Sequence, residues 1–198
     1  MPEKSTASDP ISSTRFESAL AYATRFHAGQ HRKGTSIPYI SHPLGVASIV
    51  LEYGGTEDEA IAALLHDVIE DGGGQRAREE IRQLFGSNVV AIVDGCTDTD
   101  ETPKPPWRPR KEAYIARLPQ EPDSVLLVSA ADKLHNTRAI LADYRVLGES
   151  LWDRFKGHRD TLWYYRALAD TFQAIRKHPR LIEELSRVVS ELEELASA

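Results

Sequence analysis

The chain of 198 residues has one cysteine, Cys96, and one methionine. A single thiol excludes an intrachain disulfide and a cysteine zinc cluster, and it suits a reducing compartment. Cys96 itself reads as a small buried residue. No apolar run approaches the ~18 residues that a membrane-spanning helix needs. Alternation of β-branched and polar residues is nearly absent, so a sheet finds no support. Positive charge is also short: 24 Lys and Arg stand against 30 Asp and Glu, a formal net charge of −6. That balance argues against a general binder of nucleic acid or anionic membrane, and leaves room for a local basic pocket that takes a small anion. Residues 1–13 are polar, rich in Ser, Thr and Pro, and lack the apolar core of a targeting signal. They are expected to form a loose tail. The expectation is a cytoplasmic protein with neither a membrane nor a nucleic-acid partner.

What is present is ordinary globular composition, 41% hydrophobic and 27% charged, with length for one domain and its core. Helical periodicity dominates and predicts an all-α fold. Phe16, Leu20 and Ala23 mark a first helix over 14–26. Ser41-His42-Pro43 opens a second, with Pro43 suited to its first turn, and Gly54-Gly55 closes it. Thr56 and Glu59 form a capping-box signal for a third helix. That helix is expected to run through Asp71, where Gly72-Gly73-Gly74 stops it. Further helices are predicted over 76–85 and 87–96. Residues 98–109 are Pro-rich and read as a long irregular connection, of the kind that is often functional. Helices then follow over 110–118, 124–147 and 151–177, with a break at His178-Pro179. Leu181, Leu185, Val188, Leu192 and Leu195 recur at helical spacing. They predict an amphipathic helix over 179–198, packed on its own domain or at a homodimer contact.

Chemistry concentrates in Leu64-Leu65-His66-Asp67-Val68-Ile69-Glu70-Asp71. On a continuous helix His66 and Glu70 share a face, and so do Asp67 and Asp71. The neighbours Ile61, Leu64, Leu65, Val68 and Ile69 predict burial. Burying three carboxylates and an imidazole is costly unless a cation compensates them, and a metal ion is the simplest compensator. Two of the groups are then free to handle a proton or a water. Two more candidates lie elsewhere. His42 sits at a helix mouth, and Asp132 lies among the small residues Ser129, Ala130 and Ala131, with Asn136 one turn on.

Taken together, Gly29-Gln30-His31-Arg32-Lys33, Pro38-Tyr39-Ile40-Ser41-His42-Pro43, the His66–Asp71 run and Ala131-Asp132-Lys133-Leu134-His135-Asn136 resemble a known family. They resemble the HD-domain metal-dependent phosphohydrolases, and within these the hydrolase domain of the RelA/SpoT alarmone enzymes and the stand-alone small alarmone hydrolases. The resemblance runs from about Ser18 to Arg145. It implies an HD-domain helical bundle over 14–178 and no synthetase or regulatory domain. It implies one Mn²⁺ held by His42, His66, Asp67 and Asp132; imidazole and carboxylate ligands without thiolate suit Mn²⁺ as well as other divalent ions. By the same resemblance Glu70 and Asp71 position and deprotonate water, Asn136 contacts the nucleotide sugar, and Arg32 and Lys33 lie near the base and the scissile phosphates. The implied reaction removes pyrophosphate from the 3′ position of (p)ppGpp and leaves GDP or GTP. The alternatives are the adenosine alarmone (p)ppApp, the 2′-phosphate of NADPH, or a sensor that binds without turnover. The intact Glu70-Asp71 pair favours turnover.

Two departures from the family pattern matter. A Thr that often follows the Asn is shifted or lost in Asn136-Thr137-Arg138-Ala139. The segment Lys104–Lys111 is basic and unlike the better-known members, and predicts a phosphate lid in which Lys104, Arg110 and Lys111 meet substrate. Trp107 within it either stacks on a base or tucks onto the core. His27, His31 and His135 flank motif residues without occupying ligand positions. Trp152, Phe155, Trp163, Tyr164 and Tyr165 predict a packed aromatic layer. Arg138, Tyr144 and Arg145 are expected to reach the pocket rim. Asp98, Asp100 and Glu101 are the candidate readers of guanine in the 98–111 loop. None is convincing there, so weak discrimination between guanine and adenine is expected.

Overall fold

The computed structural model describes residues 14–101 and 103–197, so the expected tail over 1–13 lies outside the described residues. Among the described residues the backbone is helix and turn, with one isolated antiparallel bridge between His31 and Pro38 and no strand. The all-α expectation holds. The α-helices are α1 Thr14–Phe26, α2 Ser41–Glu52, α3 Glu57–Leu65, α4 Gly74–Phe85, α5 Ser87–Cys96, α6 Trp107–Arg117, α7 Asp123–Leu147, α8 Asp160–Ile175 and α9 Pro179–Ser197. The 25-residue α7 is the spine, and it packs against α2, α3, α5, α8 and α9. Ile61, Leu64 and Leu65 of α3 and Val128 and Leu134 of α7 are fully buried where these helices meet. On α9, Leu181, Leu185, Val188 and Leu192 are buried, while Leu195 is exposed. Among the described residues no helix is long and apolar enough to cross a membrane.

The capping box forms as the sequence suggests: the Thr56 hydroxyl accepts from the Glu59 backbone, and the Glu59 carboxylate accepts from the Thr56 N–H at 2.7 Å. The helix it starts is shorter than expected. It ends at Leu65, and the chain turns through His66, Asp67 and Val68 into a wide turn over Ile69–Gly73. There Gly73 N–H reaches back five residues to the Val68 carbonyl, 3.1 Å away. Gly72 adopts φ +122°, a conformation that a residue with a Cβ rarely takes. The glycines that were expected to terminate a helix instead permit this detour, and α4 starts at once from Gly74.

Two other boundaries move. α6 begins at Trp107, not Arg110, with Pro106 just before it and Pro109 in its first turn, where no N–H is missed. The expected helix over 151–177 is interrupted. A tight helical stretch, Gly148–Arg154, leads to an extended Phe155, and α8 starts at Asp160. The break makes room for Trp107: a Cβ on Gly157 would lie 2.5 Å from the indole ring.

Candidate metal centre and cleft

Three segments distant in sequence deliver four donors to one point. The first turn of α2 brings His42, the turn after α3 brings His66 and Asp67, and the middle of α7 brings Asp132. The His42 and His66 Nε2 atoms lie 3.2 Å apart. Asp132 Oδ1 is 3.1 Å from His42 Nε2, and Asp67 Oδ2 is 3.1 Å from His66 Nε2. Donor atoms of His42, His66 and Asp67 all fall within 4.8 Å of one another. Both imidazoles are buried, at 1% and 3% exposure.

The hydrogen bonds behind the rings decide what the rings offer. His66 Nδ1 lies 2.8 Å from the Ala63 carbonyl. A carbonyl only accepts, so Nδ1 carries the proton and Nε2 of the neutral ring presents a lone pair. His42 Nδ1 lies 2.9 Å from His135 Nδ1, which leaves His42 Nε2 the same role. Two lone pairs and two carboxylate oxygens then face one another in a buried space. That donor set fits a small divalent cation, and its N/O composition suits Mn²⁺ among others.

The electrostatics follow. Burial lowers the His42 pKa. Burial acts the same way on His66, but the charges of Asp67 and Asp132 outweigh it and raise that pKa well above the ordinary value, so the Nε2 lone pair would be freed when a cation replaces the proton held there. Asp132 is buried too, and Lys133, His42 and His66 overcome the burial and hold it well below the usual carboxylate range. Lys133 Nζ sits 2.5 Å from Asp132 Oδ2, and Asn136 donates to Oδ1 at 2.5 Å. The Tyr39 hydroxyl donates to Asp67 Oδ2 at 2.6 Å. Tyr39 went unnoticed in the motif that contains it. Its role depends on where the turn after α3 places Asp67, which a motif does not state.

Glu70 and Asp71 ride on the wide turn next to the donors. Glu70 accepts from Lys104 at 3.0 Å. Asp71 is exposed to water, with Asp67 and Glu70 close enough for their charges to act on it. Desolvation, followed by the charges of Asp67 and Glu70, pushes its carboxyl up to about 7.

The cleft beside the centre has two lobes. One, of about 510 Å³, is walled by Arg32, Tyr39, Asn136, Ile140, Asp143 and Arg154. The other, of about 360 Å³, is walled by Glu70, Lys104, Arg110, Lys111, Lys156 and Tyr164. Lys33, Asp71, Phe155 and Tyr165 border both. Arg32 donates to the Asn136 side-chain oxygen at 2.7 Å, and Lys33 Nζ lies over the Phe155 ring.

Other expected contacts are arranged differently. Lys104, Arg110 and Lys111 do reach the second lobe, but each already has an acidic partner: Glu70 for Lys104, and Asp98 for both Arg110 and Lys111. Asp98 is thereby committed, and Asp100 is paired with Arg78. Trp107 packs edge-on against Trp163 and Tyr164, so it serves the aromatic layer. Arg138, Tyr144 and Arg145 bond Glu184, Glu149 and Glu191, and none of them lines either lobe. Cys96 is half-buried, and desolvation raises its thiol pKa.

Comparisons with known proteins agree with this arrangement. A family model described as HD domain matches residues 19–163. The chain is 42% identical over 123 residues to the guanosine-3′,5′-bis(diphosphate) 3′-pyrophosphohydrolase MESH1 of Xenopus tropicalis, covering 61% of this chain and 66% of that protein. It is 32% identical over 192 residues to a GTP pyrophosphokinase of Streptomyces coelicolor, covering 89% of this chain and 21% of that protein. The chain thus spans just under two thirds of the first relative and about a fifth of the second. A solved structure, described as a metazoan ortholog of SpoT that hydrolyzes ppGpp, superposes with a TM-score of 0.72 at 27% identity, covering 90% of this chain and 97% of that one. The family match extends over well more than half of the residues, and the chain belongs to the HD-domain family.

Proposed function

We propose that this chain hydrolyses the 3′-pyrophosphate of (p)ppGpp-type nucleotides, as a cytoplasmic Mn²⁺-dependent enzyme, releasing pyrophosphate and GDP or GTP. The observation that carries the reading is the convergence of His42, His66, Asp67 and Asp132 beside a turn bearing Glu70 and Asp71, at the junction of the two lobes. The similarity to hydrolases whose names specify this reaction supports it. A divalent ion held by those four residues supplies a lowered water pKa and offsets charge on the phosphoryl group. The residues around it do the rest. Asp71, on the same turn beside the donors, takes the proton from the water. Glu70, placed by the wide turn that carries it, orients the water toward the phosphorus. Arg32 and Asn136 hold the nucleoside in the larger lobe. Lys33 stands between the lobes, and Lys104, Arg110 and Lys111 exchange their acidic partners for phosphate oxygens.

The test is incubation of the purified protein and Mn²⁺ with guanosine and adenosine 3′-pyrophosphates and with NADPH, followed by separation of the products. Pyrophosphate and a 5′-phosphorylated nucleoside are expected. Phosphate from NADPH alone would replace the reading with a 2′-phosphatase, and tight binding without product would replace it with a sensor.

A further inference from the structure

The larger lobe holds a charged pair that the motifs do not contain. Asp143 and Arg154 both line it, and Arg154 Nη1 donates to Asp143 Oδ2 at 2.9 Å. Their side chains keep 41% and 24% exposure. Asp143 is eleven residues beyond Asp132 on α7, which is close to three full turns and about 16 Å along the axis. Asp132, Asn136, Ala139 and Asp143 therefore lie along one face, running from the metal donors into the lobe. Ala139 and Ile140 give that stretch of wall an apolar surface. Arg154 is laid against the turn that carries Arg32 and Lys33. A Cβ on Gly34, whose φ is +71°, would meet the Arg154 side chain at 2.7 Å.

Resting on the reading of the site as a nucleotide hydrolase, we propose that Asp143 and Arg154 are its base-reading pair and select guanine over adenine. Guanine presents adjacent N1–H and N2–H₂ donors, which match the two oxygens of a carboxylate. Its O6 and N7 are acceptors that match a guanidinium. Adenine places a lone pair at N1 where Asp143 offers another, and a donor at N6 where Arg154 offers donors. Either mismatch strands a polar group. With no base in the lobe the two side chains neutralise each other. On binding, each exchanges its ionic partner for hydrogen bonds to a base edge, so no hydrogen-bonding group is left unpaired. The expectation of weak discrimination considered acidic groups in the 98–111 loop alone. The acidic group that the lobe offers comes instead from α7.

The experiment compares kcat/KM for guanosine and adenosine 5′-diphosphate 3′-pyrophosphates, with Mn²⁺, in the wild type and in Asp143→Ala, Asp143→Asn and Arg154→Gln. Water reaches Asp143, so wild-type preference for guanosine should be ~10²-fold, below the 10⁴–10⁵ of closed hydrogen-bonding sites. Asp143→Ala and the near-isosteric Asp143→Asn should both reduce that preference to a few-fold, through loss of guanosine turnover with adenosine turnover kept. Arg154→Gln should raise KM for the guanosine substrate alone. Equal use of both purines by the wild type, or an equal loss for both in the Asp143 variants, would overturn the proposal and leave the hydrolase reading standing. Equilibrium dialysis of GDP and ADP separates the two readings. If the wild type turns over neither substrate yet holds GDP over ADP in an Asp143-dependent way, the hydrolase reading fails and base selection stands. With no turnover and equal affinity, both fall.

Discussion

Among the proposed metal donors, His42 is oriented by one contact behind its ring. His135 Nδ1 lies 2.9 Å from His42 Nδ1, and burial, followed by the charges of His42 and Arg32, pushes the His135 pKa down to about 4. At neutral pH the ring is therefore uncharged, and in the tautomer protonated at Nε2 its Nδ1 accepts from His42, the arrangement that turns the His42 Nε2 lone pair toward the site. The approach depends on Gly45 of α2, because a Cβ there would lie 2.2 Å from the His135 ring. His135→Phe preserves the flat ring and removes the acceptor. Mn²⁺ affinity measured by titration calorimetry should fall ~10–100-fold, the usual scale for lost support of a ligand. His135→Gln, which can still accept, should recover much of it. Unchanged affinity in the Phe variant would mean that another contact orients His42. Glu70 makes the opposite prediction. Glu70→Gln keeps shape and hydrogen bonding, so Mn²⁺ binding should persist while kcat drops roughly 10²-fold. Equal loss of metal and rate would make Glu70 a ligand.

Elements show which parts of the structure local pattern can predict. The capping box at Thr56 and the α5 and α7 spans were readable because each rests on residues close in sequence or on one helical period, whereas the set His42, His66, Asp67 and Asp132, spread over ninety residues, was legible only through the family resemblance. The end of α3 was not. Residues 64–71 satisfy helical periodicity, and only the packing of the chain against its neighbours selects the wide turn over a further helical turn. The acidic partners of the basic segment were missed for the same reason: those of Arg110 and Lys111 lie twelve and thirteen residues away, and that of Lys104 thirty-four. Gly72 tests the turn. Gly72→Ala must adopt φ near +122° or shift the turn, at a cost of about 1–3 kcal/mol. Because Glu70 and Asp71 ride on it, kcat should fall more than tenfold while Mn²⁺ affinity changes little. A variant with normal kcat would show that the turn is not what places them. The clasp between α1 and α3 gives a pH test. Burial opposes ionisation of Asp58, but hydrogen bonds from Asn88 and Arg15 and the Arg15 charge hold its pKa below the ordinary value. A lowered folded-state pKa stabilises the fold above the unfolded value, ~3.9, and that contribution is lost as pH falls through the folded one. Asp58→Asn should therefore lower Tm at pH 7 and change it little at about pH 2. An equal loss at both would mean that the lost contacts are not electrostatic.

At the scale of the whole molecule, one helix serves two ends of the site. α7 carries Asp132 to the proposed metal centre and Asp143 to the wall of the larger lobe, and α9 packs against both α7 and α8. The distance between those two ends is thus set by a rigid rod rather than by loops, provided that the rod stays packed. Leu185 is fully buried in the α9 face and lies outside both lobes of the cleft. Leu185→Ala removes buried methyl groups and leaves a cavity, which should cost about 2–5 kcal/mol in urea unfolding. α9 shares one core with α7 and α8, so the loss should appear as a lower midpoint of a single transition, seen together by far-UV circular dichroism and by tryptophan emission. Specific activity corrected for the folded fraction should stay near wild type, because the cavity is remote from the donors. The alternative has a distinct signature. If α9 frays before the rest, activity will decline at urea concentrations where the tryptophan signal is still native. That result would show that α7 keeps Asp132 and Asp143 in register only while α9 holds it.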